Sequence, residues 1–542
     1  MLIVMCMAAF FINNDALPLD TGEAKTIVTA RDMVANGDWM NPIMNGVSRL
    51  DKPPLASWVA AFVECSYPYN ISAQRIAAGI MGLMWALFFF GVARYMDRRR
   101  GFAEIATFVF LTCYNVIYAG RIVGRDIYSD AFMMGGIYFM MRLLYDHRYF
   151  PRPHKWRWAM LSGLCMGLSF LSDGVVSFYS MLLPFIITIM AYKPTDMKGK
   201  CMPSLLGIAL CLLVSGWWMV NLAVQKDGAV SDFFMTQWSV WTNSHVRPWF
   251  YYWRFFSEMG VWAVFMIAAL LVPYWSKRVS TKRIYQMALL WLVVALVLLS
   301  LLPSKNMSDL VVVMPPCSLA VACLIFYYVN KWPKDLLGKA VFYVNGYVVS
   351  LIVLGLPIFV QVRLVRKDII DVGTGLVVEV LLLALAVYLF VSTYRREMKG
   401  IVKGVIALFM VVECFLLGSF GGLFGNPRQR SISILQDNVE WRSLPLYHKA
   451  DENLRIELVF EAQKNIKALD LDNEVAVMSA LPCLVLTQKE LASEMPASIL
   501  NKVDTVNLGF FDDNRLPRHN EHYNTDFVQQ VNLLRAKPID VP

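Results

Sequence analysis

Residues 76–96 read IAAGIMGLMWALFFFGVARYM and run straight into Asp97-Arg98-Arg99-Arg100. A single cation, Arg94, interrupts an otherwise uncharged stretch. A helix needs about 20 predominantly apolar residues to cross the hydrocarbon core of a bilayer, so this stretch reads as a membrane span that ends in a basic cluster. The pattern recurs at 102–119, 127–145, 158–172, 175–192, 203–224, 259–275, 286–302, 310–328, 340–361, 373–394 and 401–422. Ser172-Asp173-Gly174 alone separates two of these segments and predicts a tight hairpin. Met1–Ile12 is apolar but short, with no basic lead and no small-residue cleavage site. It reads as a first membrane helix rather than a signal peptide, which brings the expected number of spans to 13.

Composition agrees. Of 542 residues, 57% are hydrophobic and 17% charged, against roughly half and a quarter in ordinary soluble domains. Disorder, collagen-like repeats and a small disulfide scaffold are excluded. The excess is confined to residues 1–425, whereas 426–542 alternates short strand-like and helical runs and reads as a small soluble α/β domain. The expected fold is therefore an all-α polytopic membrane bundle with that domain appended. Cysteines fall mostly inside apolar runs; Cys65 and Cys483 alone lie clearly in polar segments, and a disulfide between them is one reading.

The net charge of +9 does not point to nucleic acid. Its basic residues sit in short clusters between spans, such as Arg94/Arg98/Arg99/Arg100, Lys277/Arg278/Lys282/Arg283 and Arg395/Arg396/Lys399/Lys403. That is the positive-inside pattern. With an odd number of spans it predicts a multi-pass protein of the bacterial inner membrane whose carboxy-terminal domain faces the periplasm. Two segments on that outer side, 13–75 and 225–258, are too long to be mere connectors. The first contains two amphipathic stretches, marked by Ala24, Ile27 and Val28 and by Leu55, Trp58, Val59 and Phe62, which suit helices lying along the membrane surface.

Charged residues of the outer side gather in five short places: Asp20 to Lys25, Arg49 to Lys52, Arg121 to Asp126, His245 to Tyr252, and Lys305 to Asp309. Carboxylates mixed with cations beside a membrane suit a phosphate-bearing substrate with an apolar tail. A carboxylate can take a proton from an attacking hydroxyl, and cations stabilise phosphate charge. Structural readings stand beside these. Asp20-x-x-Glu23 has the spacing of a capping box, Asp126 opens a span where an acid favours the helix dipole, Lys52 precedes Pro53-Pro54 as a turn residue can, and His245 lies among interfacial aromatics. Glu413 sits near the middle of the last span, where an acid is costly.

Taken in order, Gly22-Glu23-Ala24-Lys25, Ala30-Arg31-Asp32-Met33, Gly37-Asp38-Trp39, Asn45-Gly46 and Leu50-Asp51-Lys52-Pro53-Pro54-Leu55 resemble the first outer loop of GT-C membrane glycosyltransferases. The likeness is greatest to the bacterial protein mannosyltransferases and the aminoarabinose (4-amino-4-deoxy-L-arabinose) lipid A transferases. Arg121 to Asp126, the run from His245 through Pro248-Trp249 to Tyr252, and Lys305 followed by Pro315 fit in the same order. The resemblance implies inverting transfer of a sugar from a polyprenyl-phosphate donor to lipid A or a related envelope glycolipid, among the membrane lipids of the outer face. An exported glycoprotein as acceptor is the alternative, and a lipid-linked saccharide transporter or flippase is a further one.

Carried over residue by residue, Glu23, Asp20 and Asp126 are the catalytic candidates. Lys52, Arg121, Arg125 and Lys305 are the phosphate-binding candidates. Asp51, His245, Arg247, Tyr252 and Asp309 would line the substrate pocket, with Asp51 and His245 as candidate ligands of a divalent metal cation. Four departures stand out: Gly22 where the family has an Asp before its Glu, Asp173-Gly174 in place of Lys-Gly, Gln237 with Trp238 and Trp241 in place of Glu-His, and Asp309 in place of an aromatic.

Overall fold

In the computed structural model of the chain, the described residues are 1–49, 52–99, 101–145, 154–192, 197–225, 227–419, 421, 430–512, 514 and 523–537. Arg125 is described by its backbone only. Two compact units emerge: one comprises Met1–Leu17, Leu50–Val59 and Ile71–Ser419, the other Pro18–Arg49, Ala60–Asn70 and Phe420–Pro542. The long first loop is thus divided between them.

The first unit is helical. Among the described residues, seven of its helices are long and apolar enough to cross a membrane: Ile71–Met96, Cys201–Gln225, Lys282–Leu301, Met307–Asn330, Leu336–Val365, Val372–Tyr394 and Met398–Ser419. An eighth span is the pair Phe102–Leu111 and Tyr114–Arg121 if its 67° bend is allowed. Helix-breaking chemistry at Thr112 accounts for the bend. Its hydroxyl donates back to the Phe108 carbonyl at 2.7 Å and accepts from the indole of Trp262 at 2.7 Å, and Cys113 is extended.

The other segments expected to span are shorter, more polar or interrupted. They are Leu2–Phe10, Arg125–Leu144, Lys155–Asp173, Phe178–Tyr192 and the stretch around Ala263–Ala269. The last is broken at Gly260, whose φ of 57° is left-handed. The hairpin expected at Ser172-Asp173-Gly174 forms: Gly174, at φ 72° and ψ −135°, ends the helix and leaves Asp173 at its terminus.

Among the described residues, the second unit holds the strands, arranged in two sheets. β1 (Ile43–Met44) and β2 (Val47–Ser48) form a small antiparallel pair. β3 (Leu446–Lys449), β4 (Ile466–Leu469), β5 (Cys483–Thr487), β6 (Val503–Asp512) and β7 (Val528–Ala536) form one sheet in the order β4-β3-β5-β7-β6. β3 is parallel to both of its neighbours, and β7 is antiparallel to β5 and β6. The α/β character expected for the carboxy-terminal residues is present.

Its two cores receive alternate side chains of the same strands: Leu484 and Leu486 point to one, Cys483 and Val485 to the other. Cys65 and Cys483 are free thiols, so the disulfide between them is not formed.

The apolar face of Thr21–Asn36 is not a membrane-surface face. Ala24 and Val28 are buried in the same core as Leu446, Ile466 and Leu484, so one face of the sheet, rather than lipid, covers that stripe. Polar residues of the first loop secure the arrangement. The Asn45 amide donates to the Ile466 carbonyl at 2.7 Å and accepts from the Ile466 N–H at 2.8 Å, pairing the edge of β4. Asp32 accepts from the Gly46 N–H at 3.1 Å. Arg31 pairs with Glu64 at 3.1 Å, donates to the Phe460 carbonyl at 2.8 Å and lies over the Phe460 ring at 4.4 Å. Asn45→Ala therefore destabilises this unit by about 1–3 kcal/mol, the net worth of two hydrogen bonds, and thermal unfolding of the purified chain followed by circular dichroism measures it.

Candidate active site

A cavity of about 230 Å³ opens inside the first unit. The helix Arg125–Leu144 presents Asp126, Ser129 and Asp130 to it from one face, since positions three and four apart lie together on a helix. Asp126 stands in the first turn and is exposed, and Asp130, one turn deeper, is 4% exposed.

Asp173 enters from the hairpin and Lys52 from the turn before Pro53-Pro54. The helix after that turn holds Lys52 in place. Its Leu55 packs against Leu171, Trp218 and Leu222, and its Trp58 stacks on Trp217 at 5.6 Å. The Lys52 ammonium donates to Asp173 at 3.1 Å and to the Gln237 side chain at 3.2 Å, and the pair is buried.

The opposite wall comes from two loops that hydrogen bonds join. The N–H of Ser304 donates to the Trp241 carbonyl at 3.0 Å, that of Lys305 to His245 at 3.2 Å, and that of Arg247 to Pro303 at 3.1 Å. This wall contributes Trp241, Ser304, Asn306 and Asp309. The Tyr252 hydroxyl donates to Asp309 at 2.7 Å, and Asp309 also closes a capping box by accepting from the Asn306 N–H at 2.8 Å. Burial, reinforced by the Asp309 carboxylate, pushes the Tyr252 phenol above its ordinary range, so it stays a donor. Tyr252→Phe lowers stability by about 1.5–3 kcal/mol, the worth of a hydrogen bond to a charged acceptor; thermal unfolding in detergent checks it.

Among the described residues, four carboxylates, Asp126, Asp130, Asp173 and Asp309, share the cavity with the Lys52 ammonium. Such a lining supplies proton acceptors and one cationic contact for an anionic leaving group.

The candidate residues drawn from the sequence divide sharply. Lys52, Asp126, Tyr252 and Asp309 come together in the cavity. Arg121 does not line it. Its fully buried guanidinium pairs with Glu413 at 2.5 Å and donates to the carbonyls of Ala8 at 2.8 Å, Ile12 at 2.7 Å and Asn13 at 3.1 Å. These carbonyls lie at the end of Leu2–Phe10, where a helix leaves acceptors unsatisfied. Phe10 lies so close to Gly120 that a Cβ there would meet its ring at 2.3 Å. Arg121, a candidate for the donor phosphate, is thus turned instead to the first helix and to Glu413.

Lys305 is likewise turned to carbonyls, those of Leu302, Pro303 and Arg247, and burial draws its ammonium below the ordinary range. His245 and Arg247 are exposed, with Arg247 5.9 Å from the Tyr251 ring centre, and neither lines the cavity. Asp20 and Glu23, in the second unit, close the capping box of Thr21–Asn36. Asp51 and the side chain of Arg125 lie outside the described residues.

Among the described residues no group of three or more His, Cys, Asp or Glu side chains is arranged to hold a metal ion; of the two candidate metal ligands, His245 is exposed and Asp51 lies outside those residues. Asp130 and Ser129 are additions. Asp130 carries a legible signal: an acid one turn after Asp126, inside an apolar run where acids are costly.

Comparison with known proteins points the same way. Residues 51–219 match the family model for dolichyl-phosphate-mannose-protein mannosyltransferase. Undecaprenyl phosphate-alpha-4-amino-4-deoxy-L-arabinose arabinosyl transferase 1 of Pseudomonas fluorescens (strain Pf0-1) is 23% identical over 326 residues, which are 57% of this chain and 53% of that protein. The corresponding transferase of Photorhabdus laumondii is 21% identical over 328 residues, 58% of each chain. The chain thus spans between half and three-fifths of the length of these relatives. The crystal structure of ArnT from Cupriavidus metallidurans bound to undecaprenyl phosphate aligns with a TM-score of 0.69 at 17% identity, covering 100% of this chain and 98% of that one. Its apo state gives the same TM-score at 16% identity. The fold is ArnT-like, and the sequence is similar to that of GT-C aminoarabinose transferases.

Proposed function

We propose that this chain, with its likeness to the GT-C aminoarabinose transferases, is a membrane glycosyltransferase. In this reading it moves a sugar from a polyprenyl-phosphate donor to lipid A or a related envelope glycolipid, with inversion. The observation that carries the reading is the cavity in which Lys52 faces Asp126 and Asp130. Names of relatives support the donor class: the curated proteins are undecaprenyl-phosphate arabinosyl transferases, and a neighbour in fold binds undecaprenyl phosphate.

The step balances with the residues present. An acceptor oxygen attacks the anomeric carbon and its proton passes to Asp126. The bond from that carbon to the phosphate oxygen breaks, and the polyprenyl phosphate departs with its charge beside the Lys52 ammonium. Asp173 and Gln237 keep that ammonium pointed into the cavity. Ser304, Asn306 and Tyr252 supply hydroxyl and amide groups for the sugar. The reaction is placed at the outer face of the bacterial inner membrane.

A second reading, O-glycosylation of exported proteins from the same donor type, rests on the mannosyltransferase model matched by residues 51–219. Mass spectrometry of lipid A and of envelope glycoproteins, from cells lacking the gene and complemented by wild type or Lys52→Ala, separates the two. A sugar mass on lipid A restored by wild type alone supports the first reading. The same result on proteins supports the second, and no change in either class contradicts both.

A further inference from the structure

A second cavity, of about 580 Å³, lies between the carboxy-terminal ends of Ile71–Met96 and Arg125–Leu144. The latter helix carries Asp130 into the first cavity and Arg142 into the second. Twelve residues of helix separate them, roughly 18 Å at 1.5 Å per residue. The two cavities therefore belong to opposite ends of the bundle. Three arginines line the second: Arg94, Arg98 and Arg142. Leu87, Phe88 and Phe90 line it one to two turns back along the helix from Arg94, toward the apolar middle. Among the described residues no carboxylate lines it.

The arginines are positioned rather than loose. Arg94 donates to the Arg98 carbonyl at 2.7 Å. Arg142 donates to the Tyr138 hydroxyl at 2.9 Å and lies 4.0 Å from the centre of the Trp158 ring. The three guanidinium groups gather where two helices end, the position at which the helix dipole favours cations. An electropositive mouth over an apolar floor matches one kind of molecule, an anion carried on an acyl chain. Arginine's planar fork suits phosphate oxygens in particular.

From this geometry we infer that the second cavity binds the phosphate headgroup of an anionic glycerophospholipid, in the leaflet opposite the first cavity. Basic pockets between membrane helices are the usual form of such recognition. The inference requires only that the bundle spans the bilayer and is independent of the proposed transfer chemistry.

The test uses the full chain in nanodiscs made from equal parts of phosphatidylglycerol and phosphatidylcholine, with retained lipid read by native mass spectrometry. Wild type retains phosphatidylglycerol preferentially. Arg94→Gln/Arg98→Gln lowers the preference about thirtyfold, as expected for two interfacial arginine charges. Arg94→Lys/Arg98→Lys keeps most of it, and its melting temperature controls for folding. Equal retention of the two lipids by wild type overturns the inference whatever the variants do. So does an unchanged preference in the folded Gln variant. Added inorganic phosphate distinguishes the remaining source: if it is retained in place of the lipid, the occupant is a soluble anion and the lipid assignment fails.

Discussion

Asp126→Asn slows sugar transfer by about a hundredfold to ten-thousandfold, the range expected for loss of a positioned general base. The melting temperature hardly moves. Asp126 is exposed at the cavity and, as an acid in the first turn of Arg125–Leu144, contributes about 0.3–1 kcal/mol through the helix dipole. Asparagine keeps the shape and removes only the proton acceptor. Activity and stability therefore separate, which a structural role for Asp126 does not allow. Single-turnover transfer, measured beside Asp130→Asn, checks the assignment. A larger loss from the Asp130 variant than from the Asp126 variant moves the base to Asp130.

Arg121→Met costs about 3–5 kcal/mol of stability. Removing one partner leaves Glu413 uncompensated in a buried position, and the carbonyls of Ala8, Ile12 and Asn13 lose their donor. The first helix then has no polar attachment through Arg121, although Phe10 still lies against Gly120. Replacing both charges, in Arg121→Met/Glu413→Leu, recovers much of the loss, because no unpaired ion remains. Thermal unfolding of the two variants in detergent measures the difference. A phosphate ligand would behave otherwise: Arg121→Met would raise KM for the donor and leave the melting temperature in place.

The contrast between Asp126 and Arg121 shows what a sequence of this kind reveals. Both residues belong to one short charged stretch, on either side of Gly124. Apolar length placed the helices that carry them; after residue 425 the strand-like run 503–508 is a strand, but the strand-like run 474–478 is helical and the helix-like run 528–534 is a strand. Neither pattern shows which way a side chain turns. Arg121 ends a helix and faces inward to carbonyls, whereas Asp126 begins the next and faces the cavity.

The first loop was harder to read, because its amphipathic stripe has the same period whether it meets lipid or a protein core. Ala24 and Val28 pack into the core of the second unit, and the partner of that stripe lies more than 400 residues along the chain. Much of the motif that carries the family likeness has the same explanation. Arg31, Asp32 and Asn45 hold the loop within its own unit. Asp173 was visible only as a departure from the family pattern; its meaning came from the 3.1 Å contact with Lys52.

The most direct test of the central claim is transfer by the purified chain itself. The protein is reconstituted with undecaprenyl phosphate carrying 4-amino-4-deoxy-L-arabinose and with lipid A, and both lipids are followed by liquid chromatography and mass spectrometry. The expected result is that lipid A gains one sugar as undecaprenyl phosphate is released, and that Asp126→Asn and Lys52→Ala slow both changes together. A donor that stays intact with lipid A and with an exported protein acceptor alike, in the presence of folded wild-type chain, contradicts the assignment.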